Sequence, residues 1–153
     1  MSQIKKIYKI IAQNKKAFHD YEVIRKIESG IVLLGSEVKS LRYNNATITQ
    51  AYALNKDKEF FLYGSHIAEY KKSQSFSHPP TRIRKLMMHK KEIYKIINII
   101  TKKGYTLVPL VLYFNHNNIV KISLGIVKGI KKFDKREIYK QKKWNKEKYT
   151  IIT

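Results

Sequence analysis

The sequence predicts a mainly β fold with flanking α-helices: a small closed or partly closed β-barrel followed by a basic C-terminal tail. Short apolar runs and alternating stretches, separated by turn residues, fill 21–63 and 105–127, as hairpins do. Residues 81–103 instead repeat their apolar side chains at helical spacing. Residues 128–153 carry ten Lys or Arg against three acids (Asp134, Glu137, Glu147), a composition that cannot bury a core of its own.

The N-terminal residues are polar and basic, with Lys5, Lys6, Lys9, Lys15 and Lys16 interleaved with Tyr8 and Phe18; an amphipathic surface helix over 4–11 is one option there. Tyr21–Glu28 alternates loosely, Ser29-Gly30 is expected to turn, and Ile31–Leu34 to return. Ser36 is a candidate N-cap for a short amphipathic stretch, 36–42, in which Val38 and Leu41 share a face. A second hairpin joins 47–54 to 59–64 through Asn55-Lys56-Asp57-Lys58, and Pro79-Pro80 keeps the loop 70–81 extended. The longest helix is expected over 81–103, capped by Thr81 and ended by Gly104. Ile83, Leu86, Met87, Ile93, Tyr94 and Ile97 would lie on one side, Arg84, Lys91, Lys95 and Lys102 on another, and Lys90 inside the apolar stripe. A third hairpin pairs Tyr105–Phe114 with Ile119–Val127 around Asn115-His116-Asn117-Asn118. Closing such a sheet hides its edges. The 153 residues therefore divide into one domain, 1–127, and a tail, 128–153, expected to be intrinsically disordered.

The charge sets the class of partner. Thirty-two Lys and Arg against eleven acids give a formal net charge of +21; because the chain is rich in Lys, Ile, Asn and Tyr, AT-rich coding is the alternative source of the Lys outside the basic clusters. Each cation that meets a phosphate releases a condensed counterion, so a nucleic acid is the partner favoured. There are no cysteines, which excludes disulfides and thiolate metal sites. The N-terminus has no run long enough for a signal peptide and no segment approaches a membrane span, so a cytoplasmic protein is expected, without a membrane partner.

Catalytic and metal chemistry find little support. His19, His66, His78, His89 and His116 lie in different predicted elements, none at metal-ligand spacing from another. His19-Asp20 reads as a polar turn or a charged pair. No enzyme activity, cofactor or metal is expected. The basic, aromatic-interleaved segments point to RNA instead. Arg82, Arg84 and Lys85 would place three cations at the start of the long helix, where backbone amides also attract phosphate. Tyr52, Phe60, Phe61, Tyr105, Tyr113 and Phe114 read as core before stacking platforms. Glu28 either neutralises Arg25 or Lys26, or accepts a hydrogen bond from a base edge or 2′-hydroxyl.

Five segments in order, NKKAFHDY (14–21), ESGIVLLGSEVKSLR (28–42), RIRKLMMHKKEI (82–93), GYTLVPLVLYF (104–114) and VKGIKKFDKRE (127–137), resemble the bacterial SsrA-binding protein, or small protein B, family. The resemblance implies a barrel of the oligonucleotide-binding (OB-fold) type and an RNA-binding adaptor of trans-translation, not an enzyme. Such an adaptor binds the tRNA-like domain of tmRNA and delivers it to stalled ribosomes. Elongation factor Tu with GTP takes part indirectly, through alanyl-tmRNA, and a monomer is expected. Carried onto matching positions, Asn14, His19 and Glu28 lie in segments that contact the tRNA-like elbow, and Arg42, Arg84, Lys85 and Leu86 on or beside that surface. Lys128, Lys131 and Lys132 match RNA-binding positions. Asp134, Lys135 and Arg136 lead to the decoding centre, and Trp144 is the main apolar anchor of a tail that becomes helical in the empty mRNA channel. The chain departs from the family at Ile130, where Lys is usual, in its SHPPT loop, and in its short KYTIIT end. The alternative reading is a ribosomal or general single-stranded RNA-binding protein on the same barrel.

Overall fold

Side chains that alternate between core and solvent build one antiparallel sheet whose ends meet. The computed structural model describes residues 7–72 and 77–129. Its main sheet contains β1 (Ile7–Gln13), β2 (Tyr21–Ile31), β4 (Tyr52–Lys56), β5 (Glu59–Tyr63), β7 (Arg84–Met87), β8 (Thr106–Asn115) and β9 (Val120–Gly129). A small separate pair is made by β3 (Ala46–Thr47) and β6 (His66–Ile67). The order is β1-β8-β4-β5-β7-β2-β9, and β8 also pairs with β9, so the strands from β8 round to β9 form a closed ring with β1 laid along β8. Closure leaves the ring without a free edge. Among the described residues three helices flank it: α1 (Lys15–Asp20), α2 (Gly35–Leu41) and α3 (Lys90–Lys103).

Two turns follow from local chemistry. Between β4 and β5, Asp57 and Lys58 both take positive φ, 54° and 62°, the twist that matches a two-residue hairpin. Between β8 and β9, the Asn115 side chain accepts from the amides of Asn117 and Ile119, each at 3.0 Å. Inside the ring, Phe60, Leu62, Leu86, Leu107, Leu112, Ile122, Leu124 and Ile126 make the core. Ile93 and Ile96 of α3 pack onto it, and Gly104 ends α3 at φ 64°, where a side chain would be strained. Among the described residues no helix is long and apolar enough to cross a membrane.

The expected β-rich closed sheet with flanking helices is present, and several local expectations are corrected. Residues 7–13, open to a surface helix, form β1 on β8. Ser29-Gly30 does not turn: β2 runs straight through it, with Gly30 opposite Met87 of β7. A Cβ on Gly30 would lie 3.0 Å from the Met87 methyl, so the glycine serves close approach. The helix expected over 81–103 is a strand, β7, followed by α3, so Arg84 and Lys85 open no helix and Lys90 is the exposed first residue of α3. Strand β9 continues to Gly129, two residues past the strand end expected at Val127, and the expected tail from 130 onward lies outside the described residues.

The strand at β7 exists because Arg84 has a buried partner. Glu37 of α2 and Arg84 are both fully buried, and Arg84 Nε donates to Glu37 Oε2. The remaining donors of Arg84 reach Ser65 Oγ at 2.8 Å, the Arg82 carbonyl at 2.9 Å and the Pro80 carbonyl at 3.1 Å. Glu37 Oε1 also accepts from Arg82 Nε at 3.2 Å and from the Leu34 amide at 2.9 Å, which caps α2. Burial pushes the Glu37 carboxyl up, but the bonds from Leu34, Arg82 and Arg84 and the charge of Arg84 outweigh it and hold the pKa below the ordinary value. Burial lowers Arg84, and Glu37 opposes that lowering. Among the described residues no buried side-chain nitrogen or oxygen lacks a hydrogen-bond partner.

Truncating one partner of such a pair strands the other charge in the core. Glu37→Ala is therefore expected to cost about 3–5 kcal/mol in chemical denaturation, whereas breaking the exposed Lys85–Glu59 pair should cost under about 1 kcal/mol. Because folding depresses the Glu37 pKa, its stabilisation is complete above the unfolded carboxylate value. It is lost as pH falls through the folded value, so Glu37→Gln should flatten the acid limb of the stability curve.

Candidate nucleic-acid interface

The outer face of β2, β9 and β8 is the place where several of the sequence-derived site residues come together. Cross-strand partners share a face, and here Lys26 opposes Gly125, Glu28 opposes Ser123 and Gly30 opposes Lys121 across β2 and β9. Across β9 and β8, Ser123 opposes Val111 and Lys121 opposes Tyr113. One end of this face is covered by α1, whose Ala17 packs with Val108, Leu110 and Val127 in a small second cluster.

Asn14 fixes α1 there. It is buried, donates from Nδ2 to the Pro109 carbonyl at 2.9 Å and the Ile48 carbonyl at 3.4 Å, and accepts at Oδ1 from the Ala17 amide at 3.1 Å. Its own amide donates to the Leu110 carbonyl at 2.8 Å. The side chain is thus an N-cap and a bolt to β8. That helix presents Phe18 and His19 at the surface, with Lys26 Nζ 5.5 Å from the Phe18 ring centroid and His19 Nδ1 2.9 Å from Asp20 Oδ1. Beside α1 lies a cavity of about 380 Å3 walled in part by Lys16, Asp20, Gln50 and Tyr52.

Glu28 is half-buried further along the same face, and the hydroxyl of Tyr113 donates to its Oε2. Burial first, then the hydrogen bond and charge of Glu28, raise the Tyr113 phenol well above its ordinary range. The carboxylate is thereby held in one orientation between two lysine-bearing rows. A fixed carboxylate in a cationic surface can accept hydrogen bonds from ligand donors, and the exposed Lys26 and the half-buried Lys121 beside it can pair with anions.

The other candidate positions separate. Arg42 is exposed at the end of α2; its carbonyl accepts from Lys9 Nζ at 2.6 Å, and the two line a surface cavity with Phe114 and Asn118. Arg84 and Leu86 point into the core and Lys85 points out, as alternation in β7 requires. Arg84 and Leu86 therefore bear on the surface only by supporting it, and Lys85 is paired with Glu59 at 2.9 Å. Lys128 is exposed near the end of β9, opposite Glu22. Lys131, Lys132, Asp134, Lys135, Arg136 and Trp144 lie outside the described residues.

Sequence reasoning missed the Phe18–Lys26 contact, the role of Tyr113 as the anchor of Glu28, and Glu37. Of these only Tyr113 left a signal, as the one polar-tipped ring in an otherwise apolar stretch of β8. The histidines do not converge. His78 is buried, donating from Nε2 to the Ile67 carbonyl at 2.9 Å and leaving Nδ1 for the Ser36 hydroxyl, also 2.9 Å away. Among the described residues no group of three His, Cys, Asp or Glu is placed to hold a metal ion.

Known proteins share this chain's sequence and shape. The family model described as SmpB protein matches residues 11–153. The SsrA-binding protein of Rickettsia typhi (strain ATCC VR-144 / Wilmington) is 53% identical over 144 residues, covering 94% of this chain and 95% of that protein. That of Rickettsia canadensis (strain McKiel) is 51% identical with the same coverage. A chain of the solved structure described as "tmRNA-SmpB: a journey to the center of the bacterial ribosome" superposes with a TM-score of 0.66 at 39% identity, covering 82% of this chain and 91% of that one.

If Asn14 acts by holding α1, Asn14→Ala should lower stability by about 1–3 kcal/mol, because it orphans buried carbonyls and an amide. Hydrogen exchange should then rise most in α1, with the amides of β5 and β7 rising by no more than the loss in global stability.

Proposed function

This chain belongs to the SmpB family, and we propose that it is an RNA-binding adaptor of trans-translation, holding the tRNA-like domain of tmRNA and bringing it to stalled ribosomes. The observation that carries this reading is the match to a chain solved with tmRNA at the ribosome, over nine-tenths of that chain's length. The geometry supplies the means. An outer sheet face carries Lys26, Lys121 and an oriented Glu28, and α1 adds His19 and Phe18 beside a cavity. Phosphate contacts position the RNA, and the Glu28 carboxylate tells ribose and base edges from bare charge.

In this reading Asn14 acts from beneath, by fixing α1, and Arg84 and Leu86 act by keeping β7 in place under the surface. Arg42, Lys85 and Lys128 add peripheral cations, joined by Lys131 and Lys132. The basic segment 128–153 engages a second RNA site, the decoding centre and vacant mRNA channel, through Asp134, Lys135, Arg136 and Trp144. Ten cations there would make ribosome engagement steeply salt-dependent. Elongation factor Tu with GTP joins through alanyl-tmRNA, and the protein works as a cytoplasmic monomer without catalysing a reaction of its own.

Competition at fixed salt between the tRNA-like domain and an unstructured RNA of equal length tests the reading, with strong preference for the folded RNA expected. Equal affinity would identify a general RNA binder instead. Glu28→Gln should weaken binding to the tRNA-like domain by about tenfold while leaving the salt slope unchanged. Deleting 134–153 should preserve that binding and abolish tagging on stalled ribosomes.

A further inference from the structure

Helix α2 ends in a turn that brings two tyrosines together at the surface. The Tyr43 amide donates to the Ser40 carbonyl at 3.1 Å and the Asn44 amide to the Leu41 carbonyl at 3.0 Å, and Asn44 reverses the chain at φ 59°. The segment after β6 is fastened against this turn: Ser40 Oγ donates to the Ala68 carbonyl at 2.6 Å, and the Ala68 amide to the Asn45 carbonyl at 2.9 Å. Beyond it, the Tyr70 amide donates to Ser77 Oγ at 3.2 Å.

These bonds place the Tyr43 and Tyr70 rings in a stack, centroids 6.4 Å apart at 23°. Lys39 Nζ, one helical turn back along α2, lies 5.7 Å from the Tyr70 centroid. Tyr43 nevertheless remains 61% exposed, the most of any large apolar side chain named among the described residues. The pair therefore hides little of the Tyr43 ring from water, and burial does not account for its presence. Exposed Arg42 and Lys71 flank the rings in sequence against the single acid Glu69, so with Lys39 the cations outnumber acids around the pair. An open aromatic surface, pre-stacked with a lysine over one ring, has the chemistry that receives a nucleobase and its phosphate. An apolar protein segment would have to bury those cations against itself.

We propose that Tyr43 and Tyr70, with Lys39 and Arg42, form a stacking platform for an unpaired nucleotide of a bound RNA. The base lies on Tyr43, and its phosphate is met by Lys39 and Arg42. The platform lies on α2 and the segment after β6, apart from the face built by α1, β2, β9 and β8. It rests on the reading that the chain binds RNA, and adds a contact to single-stranded rather than folded RNA.

The test uses the full-length chain and an oligouridylate of about eight nucleotides with one 2-aminopurine, titrated by fluorescence at several salt concentrations. Wild type and Tyr43→Phe should quench the probe with similar affinity. Tyr43→Ala should bind about fivefold or more weakly with its salt slope unchanged, since a stack and not a phosphate contact is lost. Lys39→Gln should reduce the slope by about one. Thermal melting of the Ala variant should match wild type, as expected for so exposed a ring. Equal binding by wild type and Tyr43→Ala overturns the platform. Loss of preference for the tRNA-like domain, with the Tyr43 effect intact, would sink the adaptor reading and leave the platform standing.

Discussion

The buried Glu37–Arg84 pair is the constraint on which the rest of this structure depends. It joins α2 to β7, and through Arg84 it gathers carbonyls or hydroxyls from residues 65, 80 and 82 into the same node. Strand β7 is short, and it bridges β5 and β2 in the ring. Without an internal anion at Glu37, Arg84 would have to leave the core, and the alternation that turns Leu86 inward would go with it. Closure of the sheet, and the fixed outer face it creates, thus rest on a charge pair separated by dozens of residues in sequence.

That separation explains what could and could not be seen in the sequence. Val120, Ile122, Leu124 and Ile126 alternate so regularly that β9 was legible at once, and Gly104 marked the end of α3 correctly. Arg84 was misread as a surface cation at a helix start because local reasoning keeps charges outside, and nothing nearby in sequence announces Glu37. Ser29-Gly30 looked like a turn because small residues usually are; here the glycine exists to let Met87 pass. The site was legible in a different sense. Family-like segments pointed to Asn14 and Glu28, yet only the fold shows that Asn14 bonds inside it and that Glu28 is held by a tyrosine read as core.

Charge is sorted by depth. Glu37 and Arg84 neutralise each other in the interior, while the excess of cations is spread over the surface and the C-terminal segment. On the outer face of β2, β9 and β8, one oriented carboxylate interrupts that cationic field. A uniform positive surface binds any RNA; a surface with a fixed acceptor in it favours RNA whose donors fall at the right place. Asn14, and the packing of Ala17 on Val108, Leu110 and Val127, hold α1 rigidly against that face.

The central claim is that this face, and not the far side of the ring, receives the tRNA-like RNA. Because the chain has no cysteine, single cysteines can be introduced cleanly to carry a tethered iron chelate for hydroxyl-radical cleavage. Lys26→Cys places the probe beside Glu28, and Lys56→Cys places it at the exposed tip of the β4–β5 hairpin, away from the cavity beside α1. The account predicts strong, localised cleavage of the tRNA-like domain from position 26 and little from position 56. Cleavage from position 56 with none from position 26 would contradict it.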